Sequence, residues 1–239
     1  ILPPMRSLAA ISLAFALSTP AFATETWPSL DTPPAATGGG SNDAALIIGI
    51  EDYAFAPVID GAQLNAEAWQ IYLTETRQIP PENVTMLRNS EGSKERILIM
   101  AEAAASRVGP GGTLWFIYIG HGAPSKDGDG LLVGADATAD AIGISTRSLS
   151  RTLLLDTLAQ GKQAQTLAIF DACFTGTTSS GGVLAEGLQP MFDTKAYRGP
   201  KTTVLAATQS DQYAGPLPGV KRPAFSYLVL GALRGWGDK

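Results

Sequence analysis

The sequence has one cysteine and one histidine in 239 residues. A single thiol cannot close an internal disulfide, so no disulfide framework holds this fold. One cysteine and one histidine also cannot supply a structural zinc site, which takes four nitrogen or sulfur ligands. Charge is sparse. Asp, Glu, Lys and Arg make up 16% of the chain, and the net charge is -5. Nucleic-acid binders normally carry a basic footprint, and this acidic balance gives none. No apolar run reaches the ~20 residues that a membrane-spanning helix needs.

What is present is apolar. Hydrophobic residues form 45% of the chain, enough for a real core and too many for a disordered segment. The stretch "MRSLAAISLAFALSTPAFATE" begins at Met5 with a positive Arg6. An apolar run from Leu8 to Leu17 and the small-residue pattern Ala21–Ala23 follow. That pattern reads as a signal peptide over residues 1–23, with residues 1–4 preceding the natural start. It places the mature chain outside the cytoplasm, periplasmic or secreted. Residues 24–42 include "WPSLDTPPAATGGGSN" and read as a Pro/Gly-rich linker. The folded domain is expected over 43–239.

Within that domain, apolar runs alternate with helical patterns. Strands are expected at 44–50, 83–88, 113–120, 164–172 and 201–209. Helices are expected at 60–76, 93–108, 145–160 and 223–235, with Ser93 as the N-cap of the second. "GLLVGADA" (130–137) reads as a small hairpin arm. Continuous apolar strands between helices imply an α/β fold with a mainly parallel central sheet, flanked by helices on both faces. Ligands of such sheets gather at the carboxyl ends of the strands. His121 directly follows the third strand and Cys173 the fourth. If those strands are neighbours, the two side chains lie within reach of each other.

A thiol beside an imidazole can be deprotonated and made nucleophilic. Acyl transfer then needs hydrogen-bond donors for the developing oxyanion. The backbone N–H groups of Gly122 and Cys173, in the turns that leave the strands, are the candidates. The residues alone leave three readings open. One is a Cys–His hydrolase. Another is a silent fold that serves as a binding or regulatory domain. The third is a Cys–His acyl-transfer enzyme on an unrelated α/β sheet.

"FIYIGHG" and "IFDACFTG" resemble the two active-site segments of the caspase-like cysteine peptidases, especially bacterial caspase-family proteins and metacaspases. "ALIIGIEDY", "GAQLNAEAW" and "TVLAATQSDQYA…AFSYLVLGALRGWGD" resemble other segments of the same family, so the resemblance covers most of 44–239. It implies a caspase-hemoglobinase fold, a peptide or protein substrate, and peptide-bond hydrolysis through a thioester. His121 would be the base and acid, Cys173 the nucleophile, and no cofactor is required. It also places Asp171 in the S1 pocket, with Asn65 and Ile119 where metacaspases carry an aspartate and a serine. Asp171 is thus the one pocket acid retained, and Asp60 is one helical turn out of register with the motif. A P1 preference that is basic but weakened, or shifted toward an uncharged residue, is expected. Phe174 and Thr175 replace a frequent His–Ser pair and are expected to alter the cleft rim.

Many metacaspases use calcium, for which Asp127 and Asp129 in "KDGDG" are the candidate ligands. The run lacks the full EF-hand pattern. Lys195, Arg198 and Lys201 are candidate self-processing sites in a Gly/Ser-rich segment. The chain stops at "GWGDK", where the family often continues with another strand and helix, so the domain is expected to be truncated.

Overall fold

The fold was analysed in a computed structural model, which describes residues 27–178, 182–188, 197, 199–207, 215–217 and 219–238. The expected signal peptide, Lys195 and Arg198 lie outside the described residues. The chain runs β1 (Ala44–Gly49), α1 (Ala62–Ile71), β2 (Val84–Arg88), α2 (Lys94–Arg107), β3 (Thr113–Ile119), β4 (Gly122–Pro124) and β5 (Gly130–Val133). It continues through α3 (Ala141–Arg147), β6 (Ser148–Ser150), α4 (Arg151–Leu158), β7 (Gln165–Asp171), β8 (Thr202–Ala206) and α5 (Ala224–Leu233).

Five strands form one parallel sheet in the order β2-β1-β3-β7-β8. The apolar runs that suggested buried strands are buried because successive side chains enter opposite layers. Leu46, Ile48, Phe116, Tyr118 and Phe170 pack on one face with Ile97 and Ala101 of α2 and Leu154 and Leu155 of α4. Ile47, Ile117, Ile119 and Ile169 pack on the other with Ala66 and Trp69 of α1 and Tyr227 and Leu230 of α5. Ser93 caps α2 as expected, its hydroxyl accepting from the Arg96 amide at 3.3 Å.

Three expectations change. The helix expected at 145–160 is broken. Ser148–Ser150 pairs with β5 as an antiparallel strand, and Ser150 then caps α4 by accepting from the Leu153 amide at 3.1 Å. The first helix starts at Ala62 rather than 60, because Gly61 takes a left-handed φ of 78°. Finally, the part of the Pro/Gly-rich segment from 27 to 42 is not a free tether. Leu30 is buried with Trp27 against the α1/α5 core, and the Tyr227 hydroxyl donates to the Pro28 carbonyl. The Thr37 and Gly38 amides donate to the Thr76 carbonyl at 2.8 and 3.0 Å. Composition marks the segment as low in apolar residues, but those few supply the anchors.

Candidate active site

β3 and β7 are direct neighbours, and their last register pair is Ile119 with Asp171. His121 and Cys173 each stand two residues beyond that pair, at matching positions on adjacent parallel strands. Both line a cleft of about 580 Å³ at the carboxyl edge of the sheet. The contact is close. A Cβ placed on Gly122 would lie 2.7 Å from the Cys173 carbonyl oxygen and 2.9 Å from its carbon. Only glycine lets the His121 and Cys173 segments pack this tightly.

His121 is held from three sides. Its amide donates to the Tyr53 hydroxyl at 2.7 Å. Its carbonyl accepts from the Tyr118 hydroxyl at 2.7 Å, and that hydroxyl also lies 2.9 Å from the Val133 carbonyl. Burial pushes both phenols up, so they remain neutral donors and acceptors. The imidazole Nε2 sits 2.7 Å from the Pro57 carbonyl oxygen. A carbonyl only accepts, so in the neutral ring Nε2 carries the proton and Nδ1 carries the lone pair. Desolvation by burial lowers the His121 pKa, and the Pro57 carbonyl partly opposes it. The neutral ring is the form that can take a thiol proton.

That shift has a measurable sign. The unfolded chain takes a proton near the ordinary value of 6.5, which the folded chain refuses until lower pH. The histidine contribution to stability is therefore complete above 6.5 and is lost as pH falls through the folded pKa. Thermal melts between about pH 5 and pH 8 should show wild type losing stability faster on acidification than His121→Gln. Equal slopes would contradict the shift. Burial raises the Asp171 carboxyl, with the opposite slope, in both proteins alike, so it drops out of the difference.

Asp171 lines the cleft. Its Oδ2 accepts from the Ser226 amide at 2.7 Å and the Ser226 hydroxyl at 2.6 Å. Burial raises its pKa and the Ser226 hydrogen bonds lower it. Asn65 lies wholly buried behind Ser226, donating from Nδ2 to the Ser226 hydroxyl and the Pro223 carbonyl, both at 2.8 Å. Asn65 thus orients the residue that orients Asp171. Ile119 is not a cleft residue. Strand alternation turns its side chain into the α1/α5 core, where it is fully buried. Phe174 is not at the rim either; it is 3% exposed.

Asp129 does not fit a calcium ion. Its carboxylate accepts from the Ser150 hydroxyl at 2.6 Å and from the Gly130 and Thr152 amides at 2.9 and 3.2 Å, and it faces Arg151 at 3.7 Å. Asp127 accepts from the Ser125 hydroxyl on an exposed turn. Among the described residues no group of His, Cys, Asp and Glu side chains could hold a metal ion, and no helix is long and apolar enough to cross a membrane.

Sequence reasoning missed several groups. The Pro57 carbonyl and the Tyr53 hydroxyl orient His121. Asp60 and Lys221 line the cleft as Asp171 does, with Val58, Ile59, Leu217 and Val220 as apolar lining. Asp60 reaches the cleft because Gly61 turns the chain before α1 begins. A Cβ at Gly61 would lie 2.1 Å from the Lys221 carbonyl, which closes the turn to other residues. The signal available was the "DG" pair ahead of the helical run.

A parallel α/β sheet with a cysteine and a histidine at the ends of two adjacent strands defines a class, that of Cys–His cleft proteins. The particular family follows from comparison. The caspase domain of the C14 peptidases matches residues 42–233, and the chain belongs to that family. Among solved structures, a protein from Geobacter sulfurreducens aligns with a TM-score of 0.57 and 16% identity, over 82% of each chain. Caspase-1 from Spodoptera frugiperda aligns with a TM-score of 0.49 and 14% identity, over 87% of this chain and 74% of its own. No curated protein sequence matches the chain. The fold is that of the caspase-hemoglobinase α/β proteins.

Proposed function

We propose that the chain is a cysteine endopeptidase acting through Cys173 and His121. The observation that carries this is the packing of Gly122 on the Cys173 backbone, with both residues of the pair facing one cleft. His121 Nδ1 takes the thiol proton, and sulfur attacks the scissile carbonyl carbon. The oxyanion is received by the N–H groups of Gly122 and Cys173. The Val133 amide bonds to the His121 carbonyl at 3.0 Å, so by antiparallel alternation the next pair, Gly122 with Leu132, is of the non-hydrogen-bonded kind. The Gly122 N–H is therefore not spent on β5. His121 returns its proton to the leaving amine, giving a thioester. Water, deprotonated by His121, then releases the acid and the thiol.

Labelling with a peptidyl acyloxymethyl ketone tests this. Modification of Cys173 that depends on His121 supports the peptidase. An unmodified Cys173 in the folded protein overturns it and favours a binding domain. The leader-like pattern at residues 1–23 supports action outside the cytoplasm.

The S1 preference is proposed to be basic. Asp171 supports it, as an anchored carboxyl in a cleft that the exposed Asp60 and Lys221 also line. A hydrogen bond to a charged group contributes about 1.5–3 kcal/mol, so Asp171→Asn should cut cleavage after Arg or Lys about 10- to 100-fold. Its effect after an apolar P1 residue should be small. A P1-varied fluorogenic library on both proteins checks this. Wild-type cleavage after an apolar residue that equals cleavage after Arg would sink the basic preference.

A further inference from the structure

We infer that Phe174 is a positioning residue for the oxyanion site, its ring locked by the buried Arg151–Asp129 pair so that the Cys173–Phe174 backbone is held on Gly122. This rests on the reading of Cys173 as nucleophile.

The Phe174 ring fills a notch made by two glycines on neighbouring strands. Its Cδ1 would lie 3.0 Å from a Cβ on Gly122 of β4 and 2.7 Å from one on Gly130 of β5. The Cys173 carbonyl meets the same point above Gly122 at 2.7 Å. Ring and Cys173 backbone therefore crowd together onto the one face of Gly122 that a side chain would occupy. The ring is also clamped laterally. The Phe170 ring meets it nearly edge-on at 5.8 Å, and the Arg151 guanidinium lies 5.3 Å from its centroid.

Arg151 is the unusual element. It is 6% exposed and opens α4, where a buried cation is costly unless paired. Asp129, 5% exposed, is its counter-ion at 3.7 Å. Asp129 is itself fixed by the Ser150 hydroxyl and the Thr152 amide at the start of the same helix. The apolar neighbours confine the ring by shape, without a directional contact to its face. The fixed cation over its face adds that contact, since the ring quadrupole attracts positive charge there. The contacts thus run from the start of α4 through Asp129 and Arg151 to Phe174, and from Phe174 to the amide next to the sulfur. Oxyanion donors must be aimed to within about 0.5 Å, which gives this clamp a role beyond packing.

The test separates oxyanion geometry from thiol reactivity. A peptide aldehyde forms a tetrahedral adduct with Cys173 and loads the oxyanion site; the matching peptide alcohol binds without forming it. Iodoacetamide alkylates the thiol and needs no oxyanion donor. For Phe174→Leu and Arg151→Met, the aldehyde-over-alcohol affinity ratio should fall about 10-fold or more, as misaimed donors lose part of their usual effect. Iodoacetamide rates should stay within about 2-fold of wild type, since neither side chain serves the thiol proton. Arg151→Lys keeps the cation and should restore most of the ratio. An unchanged ratio in Phe174→Leu would overturn the inference. So would aldehyde and iodoacetamide reactivity falling together, or an Arg151→Lys protein as impaired as Arg151→Met. A wild type that hydrolyses no peptide and gains nothing from the aldehyde overturns the peptidase reading, and this inference with it.

Discussion

Cys173→Ala should lower peptide hydrolysis by a factor on the order of 10⁴ or more, and His121→Ala by nearly as much. The double variant should be little worse than either single one, because a nucleophile and its base act as a unit. The protein offers a clean way to see this. Cys173 is its sole cysteine, so every molecule of thiol-directed reagent bound reports that position. His121→Ala should slow alkylation near neutral pH, because Nδ1 no longer takes the thiol proton. His121 is only 7% exposed, so its removal also leaves a cavity beside Tyr53, whose ring lies 4.8 Å away. His121→Gln fills more of that space and separates lost chemistry from lost packing. Hydrolysis by the His121 variants at the wild-type rate would end the dyad assignment.

Much of this arrangement could be read from order along the chain. Two unique residues close two apolar runs, and parallel α/β sheets collect function at those ends. The inference needed only that β3 and β7 be adjacent, and they are. Residue type and position were enough because strand ends are fixed by periodicity. The groups that orient His121 were not legible in the same way. Pro57 contributes a backbone carbonyl, which every residue has, across a gap of 64 positions. Tyr53 acts through a hydroxyl early in an aperiodic loop, and no pattern announces its partner. Loops carry chemistry through three-dimensional placement, and their sequence shows only composition.

Two other departures have a common cause. The motif alignment set Asp60 one helical turn out of register, yet Asp60 lines the cleft, because it stands ahead of the helix in the turn at Gly61. The left-handed Gly61 makes that turn, and the pressure of the Lys221 carbonyl on that glycine comes from a loop some 160 residues later in the chain. Phe174 was assigned to the rim by its place after Cys173. It is buried because Gly122 and Gly130 leave room for a ring, and those glycines become neighbours only when β4 and β5 pair. In both cases a long-range backbone contact decides where a side chain goes. Ile119 shows the reverse case, where a simple local rule was available. Strand alternation sends it to the core opposite Tyr118, and the alignment to a pocket residue overrode that.

Gly122→Ala should be the most damaging change that removes no functional group. The added Cβ would meet the Cys173 carbonyl oxygen at 2.7 Å, its carbon at 2.9 Å and the Phe174 ring at 3.0 Å. Two of these atoms are backbone and cannot swing aside as a flexible side chain would. Either β4 moves off the Cys173 turn or the turn moves off β4, and both separate the Gly122 and Cys173 amides. Losing one oxyanion donor typically costs about 10²- to 10³-fold in kcat, and that is the expected fall. Overpacking should cost a further 1–3 kcal/mol, roughly, of folding stability, readable as a lower melting temperature. The thiol and imidazole themselves are untouched, so iodoacetamide should still alkylate Cys173 while peptide turnover is largely lost. A Gly122→Ala protein with wild-type kcat would show that the amide at 122 has no part in the reaction. Equal loss of alkylation and turnover would instead place its importance in holding His121, one residue before it.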